Sequence, residues 1–504
     1  MKRDWTSRSS ILLLGLILVV VNLIGLNLFA RADLTDDGVY SLSDASIDLV
    51  SDLDDPVTVT AFFTADLPAP YSSNSRFLKD KLDDYGAYGG GNFQYRFIDP
   101  KDSEELRNEA MSYQIPPVQI QVIESDNVQL KNAFMGVVIE YGGERESIPV
   151  VQDLSSLEYD ITSAIRRLTR ETTPRIGFLS GHGESVPEEH MQNYSQRLSR
   201  NYSVETISAA EIASNPPTAL MIVAPTDTIP ASDLIAIDSY ILNGGRVGFL
   251  LNRITADLRN GQASTFHTGL DSFLVSYGMG LSENLVMDQQ SSMVTTQRRQ
   301  GFFNIQQQIP YPFFPVTNRF SKENMMVNRL RDVVFYFVST IDTSLVLPEG
   351  VQSEHLVYSS SRSSLQQGFF FIQPMFEQAR FSGGPFVMAS AYRGEFPSAF
   401  EPGRRGLSTR MVLVGDGDFI NESLVGPIPG NVEFALNIVD WLVQDEALLS
   451  IRAKKIAPRV LQEVSPRLKP WIKYGNMLAP VLFVVLFGLI RWRGKKNRQI
   501  IISR

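Results

Sequence analysis

The sequence predicts an α/β protein built as successive α/β units between apolar ends, and three observations carry that reading. From about residue 57 to 168 the elements follow in the order β-α-β-α-β-β-α. At Arg175–Glu184 a short apolar strand breaks at Ser180-Gly181-His182-Gly183 and gives way to a helical pattern, after which strands and helices alternate again. Apolar runs of about 20 residues lie near both ends of the chain, the first without charge and the second with Lys473 in its first turn and a fully apolar core from Leu478 to Ile490.

A chain of 504 residues exceeds one compact core, so several domains are expected. The apolar run 11–30 matches the thickness of a bilayer core, as does the run 471–490. A cleaved signal peptide is the competing reading of the first run. Its length, and the bulky Leu26, Leu28 and Phe29 at its end, favour retention. Basic residues sit outside both runs, in segments 1–10 and 491–504, which predicts cytoplasmic termini and an extracytoplasmic (periplasmic) body at the cell's inner membrane. That body carries roughly −17 of formal charge and no basic, aromatic-studded face, which argues against nucleic acid. The chain has no cysteine, which excludes disulfides, thiolate metal sites and cysteine nucleophiles.

In the first unit, 31–170, Ser43 is the expected N-cap of a helix carrying Ile47, Val50 and Leu53. A strand at Val57–Phe63, a helix around Phe77–Tyr85 and a strand at Phe93–Phe97 follow. Helical residues 103–113 lead through Pro116-Pro117 to a strand at Val118–Ile123. Segments 133–141 and 144–151 read as a strand pair joined by Gly142-Gly143, and a helix Leu157–Leu168 closes the unit. This order resembles the thioredoxin fold, with Pro116-Pro117 where that fold keeps a cis-proline. Thr64-Ala65-Asp66-Leu67 stands where the redox Cys-x-x-Cys would be, so dithiol chemistry is excluded.

The second unit, 171–450, adds strands at 204–207, 219–224, 247–251 and 285–287, and helices at 232–242 and 270–277. Residues 289–375, rich in Gln, Ser, Phe and Pro, read as a β-rich or irregular insertion. The core resumes at 386–391 and 411–414, and a helix at 432–443 completes it. Residues 451–470 form a basic linker.

Candidate chemistry concentrates in two strand-end loops. Ser180, Gly181, His182, Gly183 and Glu184 form one; His182 with Glu184 suits an acid/base pair or half a metal site, but a polar strand-end loop is the favoured reading. Ser180 lacks the nucleophile-elbow pattern, because Phe178 and His182 stand where glycines are needed. Asp416 and Asp418, with Asn421, form the other and match only part of a calcium-loop pattern. No metal or cofactor is expected. No G-x-x-x-x-G-K-[ST] occurs, so no ATP site is evident. Phe302, Phe303, Phe313, Phe314 and Phe369–Phe371 could build a polysaccharide or lipid platform, though core packing is the readier use.

Segments RADLTDDGVYSLS, AYGGGNFQYRFIDP, YDITSAIRRLTR, RIGFLSGHGE, MVLVGDGDFI and SIRAKKI, in that order along the chain, resemble the GldG-type auxiliary proteins of ABC transport systems, the gliding-motility-associated family. The resemblance implies a flavodoxin or class I glutamine-amidotransferase-like fold for the second unit. It also implies a non-enzymatic extracytoplasmic subunit whose permease and ATP-binding subunits are separate chains. Catalytic members of that fold use a cysteine this chain lacks. The alternative is an extracytoplasmic hydrolase or ligand-binding enzyme using the His182/Glu184 loop. Self-association as a homo-oligomer stays open.

Overall fold

A computed structural model describes residues 41–444 except 66, 68–70, 125–126, 152–153, 155, 171, 301–302 and 374–380, together with residues 13, 16, 17, 451, 473, 487 and 488. Apart from those isolated positions, the expected spans 11–30 and 471–490, the linker and the basic ends lie outside the described residues. Among the described residues no helix is long and apolar enough to cross a membrane. The described residues through Ile451 belong to one compact unit, and Lys473, Phe487 and Gly488 to a second.

Strand β1 (Val57–Phe63) is VTVTAFF, with every residue except Thr58 buried. Such a strand needs cover on both faces and partners on both edges. It pairs in parallel with β2 (Phe93–Ile98) and antiparallel with a strand at Met135–Tyr141, which pairs antiparallel with Glu144–Ile148. Helices Asp44–Ser51, Tyr71–Tyr88 and Leu157–Thr169 cover one face, through Val50, Leu78, Leu82, Leu157, Ile161 and Ile165. Ala110 of helix Glu104–Ser112 packs with Phe62, Phe134 and Val138 in a second, smaller core cluster. Ser43 caps the first helix as expected, accepting from Ser46 N. Buried Glu158 then ties the layers together: Oε1 accepts from Ser43 N at 2.6 Å and Ser46 Oγ at 2.9 Å, and Oε2 meets Lys81 Nζ at 3.4 Å.

The expected third strand is corrected here. β3 (Val118–Glu124) pairs with β4 (Asn127–Ala133) in a separate two-stranded sheet, and the third position falls to β5 (Met135–Tyr141), followed by β6 (Glu144–Ile148). The alternating pattern of β3 suits either place. A partner beginning three residues later closes a far shorter loop than the central sheet would require. The peptide bonds before Pro116 and Pro117 are trans; among the described residues the cis bond is Gly384–Pro385.

The larger sheet has eight strands. Its centre is five parallel strands in the order β8 (Ser203–Ile207), β7 (Arg175–Leu179), β9 (Ala219–Val223), β10 (Arg246–Leu250) and Arg405–Val414. β9, ALMIV, is buried throughout, as a parallel strand covered on both faces should be. Ile176, Phe178, Met221, Val223, Val412 and Val414 face helices Gln192–Leu198 and Pro429–Val443. Leu179, Leu220, Ile222, Val247, Phe249 and Leu413 face helices Ala209–Ser214, Ala231–Leu242 and Leu270–Val275.

Residues 289–375 are less separate than expected. Val387–Pro397 extends the sheet antiparallel, and Gln352–Tyr358 and Arg319–Phe320, from inside the supposed insertion, continue it. Antiparallel additions at an edge need no crossover helix, so nothing local in QSEHLVY signals them. The strand Asn284–Asp288 pairs instead with Ser363–Gln367, outside the main sheet.

Candidate functional site

The parallel strands bring their carboxyl ends to one edge. From there the chain runs into Ser180–Glu184 after β7, into 224–227 after β9, into Asn252-Arg253 after β10 and into Gly415–Asp418 after the last parallel strand. β7 has β8 on one side and β9 on the other, so the order of winding reverses there. Open α/β sheets build binding crevices at such points.

The first loop is closed on itself. Ser180 N and Oγ both donate to Ile207 O, at 2.9 and 3.3 Å. Gly181 and Gly183 take φ of +121° and +72°. The carbonyl of His182 accepts from Thr226 N at 3.0 Å and Asp227 N at 2.9 Å. The Glu184 carboxylate is fully buried; Oε2 accepts from His182 N at 2.6 Å, and Oε1 faces His182 Nδ1 at 2.9 Å. His182 Nε2 faces Asp233 Oδ2 at 3.1 Å, in the first turn of helix Ala231–Leu242. The structure brings His182 and Glu184 together and adds Asp233, which no local sequence pattern names. With both ring nitrogens held by carboxylates, the imidazole has no free position from which to accept a proton from a substrate.

The Asp416 loop is built differently. Asp416 is fully buried; Oδ1 accepts from Asp418 N at 2.7 Å and Oδ2 from Tyr336 N at 2.6 Å. Burial, and then the neighbouring charge of Asp418, push its carboxyl well above the usual range. Burial raises Asp418 as well, opposed by Asn252, whose Nδ2 donates to Asp418 Oδ2 at 2.8 Å. Burial and Asp416 push the Tyr336 hydroxyl up to about 12. Asn421 Oδ1 caps the next turn, accepting from Ser423 N and Leu424 N, and its Nδ2 donates to Ser185 Oγ at 3.1 Å. The side-chain oxygens of Asp416 and Asn421 that a calcium loop would need are thus engaged with backbone N–H groups, and Asp418 Oδ2 with the Asn252 amide. Among the described residues no group of three or more His, Asp or Glu is placed to hold a metal.

Between the two loops lies a cavity of about 560 Å³, lined on its polar side by Glu184, Thr226, Asn252 and Asp418. Its lining also includes Phe314, Tyr336 and Phe337, and among the described residues neither Lys nor Arg lines it. Ala224 and Phe337, both in the lining, are non-glycine residues at φ of +46° and +53°. Strained backbone of this kind persists only where packing holds it, and it clusters at binding sites. The remaining histidines are dispersed: His190 reaches the cavity, accepting from Val186 N, while His267 meets Asp271 and His355 meets Ser390. Of the aromatics singled out in the sequence, Phe313 and Phe370 are core, Phe314 joins the cavity wall and Phe369 is exposed. Phe302 lies outside the described residues.

A family described as an ABC-type uncharacterized transport system matches residues 173–440, and a domain family of unknown function matches residues 36–140. An uncharacterized protein of Borreliella burgdorferi is 20% identical over 518 aligned residues, covering 97% of this chain and 99% of its own. Among solved structures, the mmIFT52 N-terminal domain superposes with a TM-score of 0.35 at 13% identity, over 53% of this chain and 97% of its own. An exo-β-1,4-mannosidase from an Opitutaceae bacterium gives a TM-score of 0.23 at 8% identity, over 75% and 50%. Neither superposition is close enough to carry an argument. The match over residues 173–440 spans more than half of the 504 residues, and the chain belongs to the ABC-type uncharacterized transport system auxiliary family.

Proposed function

We propose that the protein is a non-enzymatic, membrane-anchored auxiliary subunit of an ABC-type transporter complex of the GldG gliding-motility type, with its α/β body outside the cytoplasm. Family membership over residues 173–440, in a sequence without a phosphate-binding G-x-x-x-x-G-K-[ST] loop, carries the reading. Such a system needs an ATP-driven chain and a permease, and both are then separate partners. The engagement of both His182 ring nitrogens supports a binding or scaffolding role over hydrolysis. The sheet order β2-β1-β5-β6 supports a thioredoxin-like unit at 31–170, and the parallel centre of the larger sheet supports a flavodoxin or amidotransferase-like unit at 171–450. The apolar runs 11–30 and 471–490, with basic residues beyond them, support two inner-membrane anchors and cytoplasmic termini.

Extraction in mild detergent should bring down a permease and a nucleotide-binding chain with the tagged protein; a chain that purifies alone overturns the reading. Orientation is tested by cysteine labelling on this cysteine-free background. Val346 is 88% exposed, so Val346→Cys should react with an impermeant reagent in intact cells, and Gln499→Cys should not. The opposite pattern reverses the topology.

A further inference from the structure

The carboxyl-edge cavity has an electrostatic sign. At a crevice of this kind, loop N–H groups and helix N-termini commonly hold phosphate. Here the protein's own Glu184 carboxylate accepts the His182 N–H, and among the described residues no Lys or Arg lines the space to neutralise an incoming anion. Among the described residues the acids of the lining are Asp418 and Glu184, the latter with both oxygens engaged by His182, and the other titratable side chains are His190 and Tyr336. The same lining holds an aromatic corner, tied to the Asp416 loop by the bond from Tyr336 N to Asp416 Oδ2. The Phe314 ring lies 4.7 Å from Tyr336 at 58° and 5.2 Å from Phe337 at 82°, so the three rings face in different directions. A carboxylate beside several differently oriented rings suits an organic cation, which gains from the charge and from the ring quadrupoles together. A volume of about 560 Å³ is within the range of small-ligand sites. Ala224 and Phe337, both in the lining, keep strained positive-φ backbone, which persists where the surrounding packing holds it.

We propose that this cavity binds a small organic ammonium ligand, its charge beside Asp418 and against the wall formed by Phe314, Tyr336 and Phe337. The inference rests on the binding role proposed above, but not on which partner chains accompany the protein.

The test is calorimetric titration of the detergent-solubilised full chain with choline, with its neutral isostere 3,3-dimethylbutan-1-ol, with glucose and with inorganic phosphate. Choline should bind saturably, and the isostere, glucose and phosphate should each bind at least about tenfold more weakly, the scale of one charge-assisted contact. Asp418→Asn keeps an acceptor for Asn252 and removes the charge; it should weaken choline by about tenfold or more without lowering the melting temperature. Tyr336→Phe keeps the ring and should retain choline, whereas Tyr336→Ala should lose it. No saturable choline binding overturns the proposal. So does an isostere of equal affinity (packing alone), a preference for glucose (a neutral polyol site), or unchanged binding in Asp418→Asn. Partner chains in the same preparation, with no response to choline, would sink this proposal alone. Choline binding by a chain that purifies without partners would sink the subunit reading alone.

Discussion

The loops after β7 and after Arg405–Val414 sit at the same edge of one sheet and both carry acids, yet they spend those acids differently. In Ser180–Glu184 the charged groups are turned on one another, with Glu184, His182 and Asp233 in a row and every close polar contact made within the protein. In Gly415–Asp418 one carboxylate is sunk among backbone N–H groups, while the next reaches a cavity lined on one side by rings. The first arrangement is a lock between β7, the residues after β9 and helix Ala231–Leu242. The second is a support for an open space. A strand-end position therefore does not by itself decide between scaffold and site; what matters is whether the polar groups are already satisfied.

The largest effect that would break this contrast is expected at Gly183. Its φ is +72°, and a Cβ there would stand 2.0 Å from Thr226 Oγ1. Gly183→Val should cost about 2–4 kcal/mol, strain and overpacking together, in denaturant unfolding of the full chain. Thr226→Gly in the same chain should recover the steric part and leave the backbone part. A tolerated Gly183→Val would remove the lock.

His182→Ala should come next, at about 1–3 kcal/mol, because it leaves the buried Glu184 without its side-chain partner. Asp233 is 30% exposed at the side chain, and Asp233→Asn should cost less than about 1 kcal/mol. Equal losses for the two variants would show that the exposed end of the row, not the buried end, holds the loop.

A pH comparison sharpens the other half of the contrast. Asp416 and Asp418 have folded-state values raised by burial, and the groups facing them are each other, Tyr336 and Asn252. A raised carboxyl binds more protons folded than unfolded. Its contribution is therefore complete below the unfolded value of about 4 and is lost as pH rises through the higher folded value. Asp418→Asn should flatten the fall in melting temperature from mildly acidic to alkaline pH, relative to the parent chain. A steeper fall in the variant would contradict the burial argument.

The smallest effect belongs to a control pair. Arg175 and Glu205 meet at 2.6 Å, but their side chains are 25% and 41% exposed, so Glu205→Ala should change stability by less than about 1 kcal/mol.

Much of this edge was legible in the sequence because its signals are local. RIGFL followed by SGHGE, and MVLV followed by GDGD, each place polar residues at a strand end, and the spacing of His182 and Glu184 puts them in one turn. Asp233 could not be found that way: it lies 51 residues from His182, on a helix whose own pattern is ordinary. Tyr336 and Phe337 escape for a related reason: residues 289–375, rich in Gln, Ser, Phe and Pro, carry no strand-and-helix rhythm that ties them to the core. β3 was misplaced because its pairing depends on which partner is closer along the chain, not on its own alternation.

The division of this edge into a lock and a binding site is tested most directly by one paired measurement on the full chain: choline affinity and melting temperature for His182→Ala and Asp418→Asn side by side. The account predicts that His182→Ala melts earlier and still binds, and that Asp418→Asn melts no earlier and does not bind. A His182→Ala protein that is stable but no longer binds, or an Asp418→Asn protein that is destabilised and binds normally, would contradict it.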